Sequence, residues 1–290
     1  MSVKNVSFIG LGVMGYPMAG HLQKNGYNVT VFNRTESKAK KWVEEYGGQM
    51  GKTPNEASLH AEIVFMCVGR DEDIIEVMEG DNGILSSAKE GLIIVDHTTA
   101  SAEIARTYFA KLQKKNVAFL DAPISGGQAG AENGALSIMI GGQEKDFEVV
   151  KPVLQSYGKA IELIGPSGSG QIAKMINQIC IAGLVQGLSE AMAFGKKAKV
   201  DMEKVLSVIS KGAAQSWQME NRYRTMIDGK FDYGFAVDWM RKDLSICFNE
   251  AKKNGASLPI TEIVDKYYEQ VQKNGGNRLD TSSLMTLVDK

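Results

Sequence analysis

The sequence predicts an α/β domain built on a mainly parallel sheet, followed by an all-α domain, with one long helix joining the two. Three observations carry this expectation. Short apolar runs alternate with amphipathic stretches over residues 1–165, a glycine- and proline-rich stretch interrupts them at 165–170, and helical periodicity takes over beyond it.

Taken in order, the strand-like runs are 6–9, 28–32, 63–68, 92–96, 118–120, 137–140 and 160–163, each short and rich in β-branched or aromatic residues. Helical patterns at 36–46, 71–78, 102–115 and 144–157 connect them. Parallel neighbours need such crossovers, and the later runs leave room for antiparallel pairing. After Gly165-Pro166-Ser167-Gly168-Ser169-Gly170 a single helical pattern runs over 171–197. Gly212, Gly229, Gly234, Gly255 and Pro259 then divide the remainder into further helices. The expected domains are 1–165 and 166–290, with a cleft between them as the natural place for a small molecule.

The first strand-like run leads directly into Gly10-Leu11-Gly12-Val13-Met14-Gly15 and a helix-like stretch. That order suits a dinucleotide's pyrophosphate. Gly10 permits a tight turn, Gly12 lets backbone approach phosphate, Gly15 lets helix and strand pack closely, and the helix start offers unpaired N–H groups. The N-terminal domain is therefore read as Rossmann-type. The second run ends in Asn33-Arg34-Thr35 in place of an acidic residue. A carboxylate there would bond a ribose 2′-hydroxyl and repel a 2′-phosphate, whereas Arg34 offers a planar cation with neutral Asn33 and Thr35 beside it. NADP is favoured over NAD.

Composition excludes several classes of function. In 290 residues, 33 Lys and Arg face 34 Asp and Glu, a net charge of −1 that gives no electrostatic case for nucleic acid or an anionic membrane. Cys67, Cys180 and Cys247 form no CxxC pair and lie in apolar surroundings, which reads as reduced core thiols; with three histidines there is little to build a metal site from. The most apolar stretch, near 172–188, is broken by Lys174, Asn177, Gln178 and Gln186, so no membrane span and a cytoplasmic protein are expected.

Three further constellations carry polar chemistry. Asp96-His97-Thr98-Thr99 follows a strand and should sit at the sheet's carboxyl edge, where Thr98 and Thr99 either contact a cofactor or cap the next helix. His97 is a weak general-base candidate, more simply a solvated or hydrogen-bonded loop histidine. Asp121-Ala122-Pro123-Ile124-Ser125-Gly126-Gly127 offers a hydroxyl and two unencumbered backbone amides that suit a carboxylate, although such residues also form ordinary turns. Lys174, Asn177 and Gln178 share one helical face, where a partly desolvated lysine suits proton exchange with a carbonyl oxygen; the plain alternative is a polar stripe facing solvent or another helix.

Together these motifs, with Gly168-Ser-Gly-Gln-Ile-Ala-Lys174 and Lys242-Asp243-Leu244, resemble the β-hydroxyacid dehydrogenase family over nearly the whole chain. That group contains 3-hydroxyisobutyrate dehydrogenase, tartronate semialdehyde reductase and the glyoxylate and succinic semialdehyde reductases. The resemblance implies hydride transfer between NADP(H) and a small β-hydroxyacid or its semialdehyde or 2-oxo acid counterpart. It implies Lys174 as acid/base, Ser125, Gly126 and Gly127 on the substrate carboxylate, and Asn177 or Gln178 orienting the reacting oxygen. Thr99 would touch the cofactor, Lys242 would close over it, and a homo-oligomer is expected. His97 and Thr98 depart from an apolar residue and serine, and Gln178 from asparagine, in many members. A non-catalytic dinucleotide-binding sensor and a related imine reductase are the competing readings.

Overall fold

The structure of the chain, a computed structural model, describes residues 3–289. Two compact units divide between Lys174 and Met175. The first is a nine-stranded sheet with helices on both faces. Its strands are β1 (Asn5–Ile9), β2 (Asn28–Phe32), β3 (Gln49–Met50), β4 (Ile63–Met66), β5 (Ile93–Asp96), β6 (Ala118–Asp121), β7 (Ile124–Ser125), β8 (Leu136–Gly141) and β9 (Gly158–Gly165). The order is β3-β2-β1-β4-β5-β6-β8-β7, with β9 on β8. All pairs from β3 to β6 are parallel, giving the doubly wound order whose switch point lies between β1 and β4. The antiparallel pairing left open by the sequence occurs at β6–β8 and β7–β8.

Period-two alternation in the central strands splits the core into two layers. Phe8, Phe65, Val95 and Leu120 face one apolar cluster, which also holds Met18, Leu22, Trp42 and Tyr157. Their chain neighbours Ile9, Val64, Met66, Ile94 and Phe119 face the other, with Ile74, Met78, Tyr108 and Leu112. Successive side chains of a strand point to opposite faces, so runs buried at every position must be covered on both sides.

The covering helices are α1 (Gly15–Lys24), α2 (Glu36–Tyr46), α3 (Pro54–Ser58), α4 (Asp71–Glu79), α5 (Ala102–Gln113), α6 (Gly127–Glu132) and α7 (Glu144–Leu154). The α2 bounds match those expected. Helix α5 is capped by the Ser101 hydroxyl, which accepts from the Ile104 N–H at 3.1 Å, so neither Thr98 nor Thr99 has the capping role considered for it. Helix α7 stops at Leu154, short of the expected 157, and Tyr157 turns into the core.

Helix α8 (Ser169–Lys197) begins in the first unit and continues into the second. The second unit adds α9 (Met202–Ile209), α10 (Trp217–Ile227), α11 (Val237–Asn254), α12 (Pro259–Lys273) and α13 (Met285–Val288). Ala182, Val185, Val237, Met240, Leu244, Val264 and Tyr268 form one core there; Leu188, Met192, Leu206, Met226 and Phe231 form another. By length and mean hydropathy α8 meets the measure of a membrane-crossing helix, and 44% of that apolar window is buried within the protein. Cys247 is buried as expected, whereas Cys180 is exposed on α8, where helical phase and not local apolar character decides which way a side chain faces, and Cys67 is half-buried just past the end of β4.

Candidate active site

The glycine loop lies at the switch point, after β1. Gly10 adopts φ +98°, and a Cβ there would fall 2.3 Å from the Cys67 carbonyl oxygen; at Gly15 a Cβ would fall 2.0 Å from the Gly10 carbonyl oxygen. The protein's own packing demands both glycines. At Gly12 a Cβ would meet no protein atom within 4 Å, so nothing in the fold requires glycine there. Helix α1 starts with no acidic residue in its first turn, so none of its own side chains offsets its positive end. Beside the loop a cleft of about 490 Å³ is lined by Gly12, Val13, Tyr16 and Gln128, and by Lys38 and Lys41 of α2. Neither lysine belongs to a motif, and their spacing of three on a helix that follows Arg34 is the one signal of them in the sequence. Burial, then the Glu45 carboxylate 2.7 Å away, push the Tyr16 phenol above its ordinary range.

Asn33 is bound to the loop itself. Its Oδ1 accepts from the Leu11 N–H at 2.9 Å and its Nδ2 donates to the Thr35 carbonyl at 3.0 Å. Arg34 stays 90% exposed, 3.6 Å from Asp73. Thr35 precedes α2 without a side-chain capping bond.

At the end of β5, Asp96, His97 and Thr98 are all buried. The Thr98 hydroxyl oxygen accepts from the Val68 N–H at 3.0 Å, and the Thr98 N–H donates to Asp96 at 2.9 Å. Burial pushes the Asp96 carboxyl up to about 7. Of the two plain readings of His97, the hydrogen-bonded one holds and the solvated one does not. A carbonyl only accepts, so His97 Nδ1 donates to Ala122 at 2.6 Å and Nε2 accepts from the Tyr157 hydroxyl at 2.8 Å. Desolvation holds its pKa down to about 4, which removes it as a neutral-pH acid. Thr99 is half-buried at the edge.

Ser125 is half-buried at the end of β7, and exposed Gly126 and Gly127, with φ +137° and +62°, lead into α6. The expected loop therefore includes a short strand and the start of a helix. On α8, Lys174 is 7% exposed. One turn earlier Gln171 accepts from the Ala100 N–H at 3.0 Å and donates to the Thr98 carbonyl at 2.7 Å. Asp121 accepts from the N–H groups of Gly168 at 2.7 Å and Gln171 at 3.0 Å. Neither Asp121 nor Gln171 was singled out from the sequence, since both act across long stretches of chain.

In the second unit, Asn177 donates to the Gln178 side-chain oxygen at 2.8 Å, and Gln178 donates to Asp243 at 2.6 Å. The Lys242 ammonium lies 3.0 Å from the other Asp243 oxygen, close enough for an ion pair but outside hydrogen-bond alignment. Asn177, Gln178 and Lys242 thus meet through one buried carboxylate.

A doubly wound sheet with this loop, followed by a helical unit, defines the class of NAD(P)-dependent oxidoreductases. The family model described as the NAD binding domain of 6-phosphogluconate dehydrogenase matches residues 5–165, and that for NAD-binding of NADP-dependent 3-hydroxyisobutyrate dehydrogenase matches residues 168–288. The chain belongs to the β-hydroxyacid dehydrogenase family. It is 58% identical to an uncharacterized oxidoreductase of Shewanella frigidimarina over 98% of both chains. It is 34% identical to 2-hydroxy-3-oxopropionate reductase of Escherichia coli over 98% of this chain and 97% of that one. Among solved structures, a Mycobacterium tuberculosis 3-hydroxyisobutyrate dehydrogenase with L-serine matches with a TM-score of 0.89 and 25% identity, covering 100% of each chain.

Proposed function

We propose that the chain transfers a hydride between NADP(H) and a small β-hydroxyacid, or the corresponding semialdehyde or 2-oxo acid, with Lys174 as general acid/base. The observation that carries this reading is the buried Lys174 on the first turns of α8, a helix tied at its start to the carboxyl edge of the sheet. The residues around the glycine loop fit a dinucleotide. Gly12 leaves room for it, the first turn of α1 carries no acidic residue, and Arg34, Lys38 and Lys41 bring positive charge to surroundings that also hold Glu45 and Glu132. Arg34 in place of an acidic residue favours the 2′-phosphate of NADP. When bound, the nicotinamide supplies or receives the hydride.

In carbonyl reduction, the Lys174 ammonium gives its proton to the oxygen that becomes the alcohol and is left as the neutral amine; in oxidation it takes that proton back. Its charge also favours alkoxide character at the oxygen before the proton moves. The Ser125 hydroxyl and the Gly126 and Gly127 amides bind the substrate carboxylate, which turns binding into alignment. The L-serine bound to the Mycobacterium tuberculosis relative carries the same pairing of carboxylate and β-hydroxyl. Asn177 or Gln178, further along α8, helps orient the oxygen. Assembly into a homo-oligomer belongs to the same proposal; exposed Ile176, Leu184, Ile260 and Ile263 of the second unit are side chains it would cover, and sedimentation equilibrium tests it.

The test of function is NADPH oxidation across glyoxylate, succinic semialdehyde, tartronate semialdehyde and methylmalonate semialdehyde. Lys174→Ala should lower kcat on the best of them roughly 10²- to 10⁴-fold, with NADPH affinity nearly unchanged. A folded K174A protein that turns over near the parent rate removes Lys174 from the mechanism.

A further inference from the structure

We infer that Asp121 and Gln171 are positioning residues for this reaction: they fix the height and rotation of the first turn of α8 and so the place from which Lys174 delivers its proton. The inference rests on Lys174 being the acid/base.

Asp121 closes β6 and is fully buried. Its two carboxylate oxygens take one N–H each, from Gly168 at 2.7 Å and Gln171 at 3.0 Å, residues 47 and 50 positions further along the chain. A helix start has N–H groups that its own turns do not satisfy, and here a strand end supplies the acceptors. The seat leaves no slack. A Cβ on Gly170 would fall 2.4 Å from the Met139 carbonyl oxygen and 2.6 Å from that of Asp121, so the helix backbone rests directly on β6 and β8 with no side chain between.

Gln171 supplies the second restraint. Its amide oxygen takes the Ala100 N–H while its amide nitrogen donates to the Thr98 carbonyl, a pair of opposed bonds that a carboxylate cannot make. The stretch it holds is itself fixed to the neighbouring strand, since the Thr98 hydroxyl accepts from Val68. Asp121 sets how far the helix projects, and Gln171 sets its rotation. Lys174 follows Gln171 by three residues, about 4.5 Å along the axis, and slipping the helix by one residue would swing it through about 100°. An ordinary cap would need only one acceptor near the helix start; two restraints from two different strand ends specify an orientation.

The experiment is a double-mutant comparison in the full-length protein. Gln171→Met keeps side-chain length and removes both bonds; it is made in the parent and in K174A, with NADPH oxidation as readout on the substrate turned over best. In the parent, Q171M should lower kcat roughly 10- to 100-fold, as about 1 Å of misplacement does, with KM for NADPH within about twofold. In K174A it should lower the residual rate less than about twofold, because the group it positions is gone. An equal loss in both backgrounds overturns the inference, as does a folded Q171M protein with parent activity. Near-parent activity in K174A is a separate result: it removes the acid/base reading first and the positioning role with it. Where Q171M does not fold, Gln171→Glu and Asp121→Asn, which each keep one acceptor, take its place under the same criteria.

Discussion

His97 and Tyr157 share a hydrogen bond of 2.8 Å inside the core, across 60 residues of chain, with the imidazole stacked on Phe65 at 5.9 Å between ring centroids. The ring is therefore held neutral, down to about 4, directly beside Asp96, whose carboxyl burial pushes up to about 7. Their ordinary values are 6.5 and 3.8. Between about pH 4 and 6.5 the folded chain keeps a proton on Asp96 and none on His97, and the unfolded chain does the reverse.

Each state holds one proton on this pair, so their contributions to the pH dependence of stability cancel in that window. The His97 contribution is complete above its unfolded value and is lost as pH falls toward 4. The Asp96 contribution is complete below its unfolded value and is lost as pH rises through about 7. Asp96→Asn keeps an acceptor for the Thr98 N–H and removes only the second effect. The stability of D96N minus that of the parent should climb between about pH 4 and 7, by up to about 1.4 kcal/mol per pH unit, in urea unfolding. A difference independent of pH would contradict the assignment.

The glycine loop separates two kinds of need. Gly15→Ala puts a methyl 2.0 Å from the Gly10 carbonyl oxygen, a clash only backbone movement relieves, so the variant should lose more than about 2 kcal/mol of stability or fail to fold. Gly12→Ala meets nothing in the protein. It should melt within about 2 °C of the parent while binding NADPH at least about tenfold more weakly, if the cofactor's phosphates approach there. Thermal melting and NADPH fluorescence titration separate the two variants. Equal cofactor affinity in G12A would remove the loop's middle position from the binding site.

Much of this was legible in the sequence because it is local. Ile63–Met66 and the 93–95 run are apolar at every position, which marks strands covered on both faces, and Glu36–Tyr46 carries a clear helical stripe. What escaped was decided at long range. Two-residue β7 is too short to show a period, and α7 ends at Leu154, two residues after Pro152 and ahead of Gly158, with Tyr157 beyond it bonded to His97. His97 looked like a loop residue because its partners lie 25 and 60 positions away. The bonds from Asp121 and Gln171 that seat α8 are invisible for the same reason, although both residues stood inside motifs that the sequence displayed.

In the proposed reading, cofactor choice turns on Arg34. It follows β2, remains 90% exposed and approaches Asp73 only at 3.6 Å, so the pair contributes little to the fold and the guanidinium is available for a 2′-phosphate. Asn33 is already committed to Leu11 and Thr35, which leaves Arg34, with Lys38 and Lys41 on the helix that follows, as the positive charge near that strand end. Arg34→Ala should leave thermal stability unchanged, lower kcat/KM for NADPH by about 10- to 100-fold and leave kcat/KM for NADH within about twofold. Raising ionic strength should weaken NADPH binding more in the parent than in R34A, since exposed charges are screened. Equal losses with the two cofactors would mean that Arg34 supports the loop in general and does not read the phosphate.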